Sequence, residues 1–163
     1  MRSAFTKMHG LGNDFMVVAA DGLPVPGPER IRQLADRHTG IGFDQLLWLE
    51  PPRDRRADIR YRIFNSDGSE SEQCGNGARC IARYLAPDAA DGELKLEHGL
   101  GISRARLLAD GEVSVDMGAP DFDPASVPFV TDAPAESYRL DIDGEAVEFR
   151  VVSMGNPHAV LLL

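Results

Sequence analysis

The sequence predicts an α/β fold in which short strands are interrupted by two helices, and three observations carry that reading. Apolar and polar residues alternate in Asp58 to Phe64, so Ile59, Tyr61 and Ile63 fall on one side of a strand. The period changes to that of a helix in Gly75 to Leu85, where Ala78, Ile81, Ala82 and Leu85 share a face. Asp110-Gly111 and Asp143-Gly144 each join two apolar runs, the local signal of a tight β-hairpin.

Taken in order, Ala4 to Met8 and Phe15 to Ala19 read as strands separated by the turn Gly10-Leu11-Gly12-Asn13-Asp14. Pro28 suits the first position of a helix; Ile31, Leu34, Ala35 and His38 mark its apolar face and Gly40 supplies its stop. Phe43 to Glu50 is an apolar strand, and Pro87 ends the helix that begins at Gly75. Strands follow at Glu93 to Glu97, Ile102 to Leu108 and Val113 to Met117, and then at Tyr138 to Ile142 and Ala146 to Ser153. A stretch rich in Pro, Asp and Ala separates these two groups. The expected organisation is a first α/β domain over residues 1–118, a connector over 119–136, and the opening strands of a second domain over 137–163. A weak internal repeat supports it: Gly12-Asn13 and Gly155-Asn156 each feed an apolar strand. The apolar run Val160 to Leu163 needs a partner and a cover, so association through this strand is expected, with another copy or with a missing half.

Composition narrows the function classes. A length of 163 residues, 43% hydrophobic and 26% charged, is ordinary for a soluble globular protein. A net charge of −9 argues against nucleic acid and against an anionic membrane surface as partners. No signal peptide or membrane span is evident. Two cysteines only six positions apart make a poor disulfide framework, which points to a cytoplasmic protein with reduced thiols. His9, His38, His98 and His158 lack metal-ligand spacing, so no metal is expected; no nucleotide-binding fingerprint is present either.

The chemistry concentrates in Asn65 to Arg79. Cys74 stands at the mouth of the turn Gly75-Asn76-Gly77, which opens directly into a helix. Unpaired N–H groups and the positive end of the helix dipole favour a thiolate there, and the same N–H groups can hold a carboxylate. A base beside an anion cradle suits removal of the proton alpha to a carboxylate, with a small-molecule amino or hydroxy acid as substrate. Asn13, Gln45, Asn65, Asn76 and Asn156 are neutral amides at turns or strand ends, able to donate to a carboxylate or accept from an ammonium. His158 follows Gly-Asn-Pro at a strand start and can orient a ligand or modulate a thiol. Cys80, within the helix, reads as a small core residue.

At these residues the chain closely resembles diaminopimelate epimerases. The matching blocks are Lys7 to Phe15, Gly40 to Gln45, Phe64 to Glu70, Cys74 to Cys80 and Gly155 to His158, in the family's order. The resemblance implies a curled mixed sheet around a central helix, the first of two similar domains, with the active site in the cleft between them. It implies cofactor-independent interconversion of LL- and meso-diaminopimelate by two opposed thiols, in lysine and peptidoglycan synthesis. Cys74 is then one thiol, with His158 assisting and with substrate contacts from Asn13, Gln45, Asn65, Gly75, Asn76 and Asn156. The family's second half carries the opposing cysteine, so the 163 residues alone are expected to lack epimerase activity. Two other readings stay open: a Cys–His hydrolase with Cys74 as nucleophile and His158 as base, and a non-catalytic fragment that binds amino acids or a partner.

Overall fold

The computed structural model describes residues 4–85 and 92–162. The chain forms two compact units, Met1–Asp116 and Met117–Leu163. Strands of the first unit are β1 (Thr6–Gly10), β2 (Asn13–Ala19), β3 (Gln45–Glu50), β4 (Ile59–Asn65), β5 (Glu70–Ser71), β6 (Glu93–His98), β7 (Gly101–Leu107) and β8 (Val113–Val115). Its helices are α1 (Pro28–Ala35) and α2 (Gly75–Leu85). Pro87 lies outside the described residues.

The strands make one mixed sheet in the order β1-β2-β3-β4-β6-β7-β8, with β5 paired to β4. The pairs β2/β3 and β4/β6 are parallel. A parallel pair needs a crossover, and each has a helix in it: α1 for the first, α2 for the second. The two helices cover opposite faces. Ile31 and Ala35 of α1 bury against Met16, Val18, Leu46, Trp48 and Phe64. Ala78, Ile81 and Ala82 of α2 bury against Phe15, Val17, Leu47, Leu49, Tyr61, Ile63 and Leu96. Central strands with both faces covered explain the unbroken apolar runs of β2 and β3. Each large side chain fully buried here contributes on the order of 2 kcal/mol.

Helix α2 touches β1 and β2 at one end of the sheet and β7 and β8 at the other. A sheet whose two ends meet the same helix is curled around it. This is the curled mixed sheet with a central helix that the sequence led us to expect.

The starts of β2 and β3 are locked together. Asp14 N–H donates to Asp44 Oδ2 (3.0 Å), and Asp44 N–H donates back to Asp14 Oδ1 (3.0 Å). Arg37 bridges both carboxylates at 2.7 and 2.8 Å, and Lys7 adds a contact to Asp14 at 2.7 Å. The Arg37 guanidinium, followed by Lys7, holds the Asp14 carboxyl well below the usual carboxylate range.

Helix α1 is shorter than the periodicity suggested. Asp36 follows its last residue, and its Oδ1 accepts from the N–H groups of His38 (2.8 Å) and Thr39 (2.6 Å). That local turn competes with helix continuation, so the stop precedes Gly40 and His38 is exposed outside the helix. The β1–β2 turn uses positive φ at Leu11 (53°) and Gly12 (87°), as a two-residue hairpin requires.

The second unit is a three-stranded antiparallel sheet, β11-β10-β9, from β9 (Tyr138–Ile142), β10 (Glu145–Ser153) and β11 (Pro157–Val160). Tyr138, Phe149 and Val151 form its core, with Val127 and Phe129 packed against them. Phe129 meets the Tyr138 ring edge-on at 4.7 Å. Leu163, the last residue of the expected terminal strand, lies outside the described residues.

Two outcomes follow from this packing. A Cβ on Gly68 would lie 2.7 Å from the Cα and carbonyl oxygen of Pro28, at a φ of +85°. Gly68→Ala is therefore expected to cost about 2–4 kcal/mol in urea unfolding, from backbone strain plus overpacking. His98 is buried at the end of β6, its Nε2 2.8 Å from Ser103 Oγ and its Nδ1 accepting from Leu100 N–H at 3.3 Å. Burial pushes its pKa below the ordinary histidine value, so the folded state binds the proton less readily than the unfolded chain. Stability is then fullest above about pH 6.5 and falls as the pH drops toward 5, by at most about 1.4 kcal/mol per pH unit. Denaturation midpoints across that range check this, and His98→Asn is expected to flatten the slope.

Candidate active site

Strand geometry gathers three of the amides. β2 begins at Asn13 and β3, parallel to it, begins at Gln45, which pairs with Phe15. β4 runs antiparallel to β3 and ends at Asn65, directly opposite Gln45. All three residues therefore stand at one end of the sheet. They also share a face. Asn13 is in phase with Phe15, Gln45 with Leu47, and Asn65 with Ile63, and these partners point toward α2.

The first turn of α2 is placed at the same end. Gly77 allows it: a Cβ there would lie 3.0 Å from Leu47 Cδ2, tighter than a packed core accepts without adjustment. A Cβ on Gly10 would lie 3.5 Å from that of Asn76, so the start of the helix rests on the β1–β2 turn. Cys74 caps this helix. Its carbonyl accepts from Ala78 N–H at 2.9 Å, and its half-buried Sγ accepts from Gly77 N–H at 3.4 Å. The thiol reaches Asn13 Oδ1 at 3.8 Å. Sulfur thus occupies the place usually taken by a serine or aspartate oxygen.

That capping pattern leaves the N–H groups of Gly75 and Asn76 without an acceptor among the described residues. They are the helix-start donors available to an anion. The side chain of Asn76 is otherwise engaged, its Oδ1 accepting from the Arg79 guanidinium. Asn13 is oriented from behind: its Nδ2 donates to Asp44 Oδ2 at 3.2 Å, which turns its oxygen toward the sulfur. Gln45 Nε2 donates to Asn65 Oδ1 at 2.9 Å. Tyr61 lies beneath, buried, and both that burial and nearby Cys74 raise its pKa. A thiol, two open N–H groups and oriented amides can together bind a carboxylate and exchange a proton with an adjacent carbon.

Asn156 and His158 belong to the second unit. Asn156 lies in the turn between β10 and β11, its carbonyl accepting from Met154 N–H at 3.1 Å. His158 pairs with Val152 on β11 and is exposed. Cys80 is buried, as expected of a core residue, and burial pushes its thiol pKa up; both cysteines are free. Among the described residues no three His, Cys, Asp or Glu side chains converge as metal ligands, and no helix is long and apolar enough to cross a membrane. Residue-by-residue reading missed Asp44 and Arg79, which hold Asn13 and Asn76. Both lie inside the quoted motifs, but only the contacts reveal their part.

Comparison with known proteins bears on this arrangement. A family model described as diaminopimelate epimerase matches residues 5–122. Proteins named diaminopimelate epimerase from Ectopseudomonas mendocina, Pseudomonas syringae pv. tomato and Nitrosomonas europaea are 52%, 54% and 51% identical, over 96%, 96% and 100% of this chain. The chain spans 58% to 60% of the length of these relatives. Among solved structures, a hydroxyproline epimerase from Agrobacterium vitis matches with a TM-score of 0.70 at 17% identity, covering 96% of this chain and 50% of that one. A predicted epimerase from Pseudomonas aeruginosa matches with a TM-score of 0.58 at 21% identity, over 92% of this chain and 53% of that one. The curled sheet is thus a fold shared with epimerases of low sequence similarity, and with the family model covering most of its length the chain belongs to the diaminopimelate epimerase family.

Proposed function

We propose that this chain supplies one half of a cofactor-independent epimerase that interconverts LL- and meso-diaminopimelate in the cytoplasm. The observation that carries the reading is Cys74 at the start of α2, with Gly77 N–H on its sulfur and the N–H groups of Gly75 and Asn76 open beside it. Cys74, as thiolate, takes the α-hydrogen as a proton, and the C–H electron pair remains on the α-carbon. The developing charge spreads onto the substrate carboxylate, where helix-start N–H groups stabilise it. A second thiol, on the opposite face, donates its proton to that carbon and becomes the thiolate. The two sulfurs exchange roles at each turnover, and no redox change occurs.

In this reading Asn13, Gln45, Asn65, Gly75 and Asn76 bind substrate from the first unit, while Asn156 and His158 contribute from the second. Residues 137–163 are the opening of a second domain, and Val160, Leu161 and Leu162, all exposed in this chain, meet the rest of it or another copy.

The test uses the chain continued by the C-terminal part of one of its full-length relatives. In D2O, LL-diaminopimelate is expected to exchange its α-hydrogen for deuterium while meso product forms, both read by NMR. Cys74→Ala is expected to lower kcat/KM by about 1,000-fold, in the range of a lost general base. Undiminished exchange in Cys74→Ala would exclude the sulfur from the reaction. An acyl-enzyme thioester on Cys74 in place of deuterium exchange would favour hydrolase chemistry instead.

A further inference from the structure

The amides of Gln45 and Asn65 are part of a longer chain of hydrogen bonds whose direction is set at its far end. Asp67 Oδ1 accepts from both the N–H (2.8 Å) and the hydroxyl (2.6 Å) of Ser69. Those bonds hold the Asp67 carboxyl below its ordinary pKa, so it stays ionised and only accepts. The single hydroxyl hydrogen of Ser69 is therefore committed to Asp67. What remains on Ser69 Oγ is acceptor capacity, and it takes a hydrogen from Asn65 Nδ2 at 3.0 Å. Asn65 must then offer its oxygen to the other side, where Gln45 Nε2 donates at 2.9 Å.

The consequence reaches the site. Asn65 Oδ1 accepts from Gln45, and Gln45 Oε1 is buried with no partner among the described residues. Each amide nitrogen still carries a second hydrogen. With the Gln45 oxygen withdrawn into the interior, those second hydrogens are the donors this pair has left for a ligand.

We propose that Asp67 and Ser69 are positioning residues that fix the amide polarity of Asn65 and Gln45, so that the remaining N–H hydrogens of both are held ready to donate to a ligand carboxylate. The inference rests on the reading of the site as one for an amino acid. It goes further in assigning direction to groups that, as neutral amides, are otherwise indifferent between the two ends of a zwitterion. Turning both amides would set the Asn65 oxygen against the Ser69 oxygen, whose hydrogen is committed to Asp67, and that clash of acceptors holds the direction.

Two measurements test this. In the chain itself, NMR coupling across the hydrogen bond from Gln45 Nε2 to the Asn65 side-chain carbonyl is expected, and is expected to vanish in Ser69→Ala. Coupling in the opposite sense, from Asn65 nitrogen to the Gln45 carbonyl, would overturn the proposal whether or not the protein is active. In the chain continued by a relative's C-terminal part, the ratio of kcat/KM for diaminopimelate over its mono-carboxamide is compared among variants. Ser69→Ala and Asp67→Asn are expected to lower that ratio about tenfold, the scale of one misdirected hydrogen bond, and Ser69→Thr, which keeps the hydroxyl, to restore it. Equal losses for both ligands would mean a structural role only and would refute the inference. Absence of α-hydrogen exchange in the unmodified protein would count against the functional reading alone, because the NMR arm still decides the amide direction.

Discussion

Parallel strands have no tight turn to fix their register, and the site depends on two of them starting level. Asp14 and Asp44 supply what a turn would. Each carboxylate accepts the other's backbone N–H, and Arg37 lies across both. Two acids at this distance would repel each other without the neighbouring cations. With them, the residues beside the clamp, Asn13 and Gln45, are fixed at the same height on adjacent strands. Antiparallel pairing then carries the alignment on to Asn65. The acidic pair is thus a register device at the base of the candidate site, and the ionised Asp14 is part of the fold. Its contribution is present at neutral pH and is lost as the pH falls below the ordinary carboxylate range through the depressed Asp14 pKa.

A second theme is the use of carboxylates to give neutral side chains a direction. Asp44 turns Asn13 so that its oxygen faces the Cys74 sulfur. Asp67, through Ser69, turns Asn65 and Gln45 the opposite way. Asn76 is held from the cationic side, by Arg79. Each of these four amides is backed by a charged group one to three hydrogen bonds away. Orientation is thus set from behind the amides, which themselves stay neutral, and neutral amides suit a ligand carrying both signs.

Much of the fold was legible because its signals are local. The span of α2, Gly75 to Leu85, follows from one apolar face and a glycine-rich start, and Tyr138 to Ile142 from a strand ending at Asp143-Gly144. The errors are also local. Helix α1 ends at Ala35 because Asp36 closes its own turn, a choice that apolar periodicity does not register. Curling of the sheet around α2 followed from the family resemblance, since contact between one helix and both sheet ends is a long-range property. For the site, residue types pointed to Cys74 and the amides, but which atom of each amide faces the ligand depends on partners up to 31 residues away, as for Asn13 and Asp44. Asp67 and Ser69 lie inside the block Phe64 to Glu70, and only their contacts reveal the part they play.

The sulfur cap on α2 sets stability against chemistry at a single atom. Helix starts favour hydroxyl or carboxylate oxygens, and a thiol is a weaker substitute. A serine in place of Cys74 would accept from Gly77 N–H at a shorter distance and tighten the first helical turn. It would also put there a group that ionises far less readily than a thiol near neutrality. The more robust helix start is thus one atom away from the one present, and a search for thermal tolerance alone would drift toward the oxygen and give up the thiol.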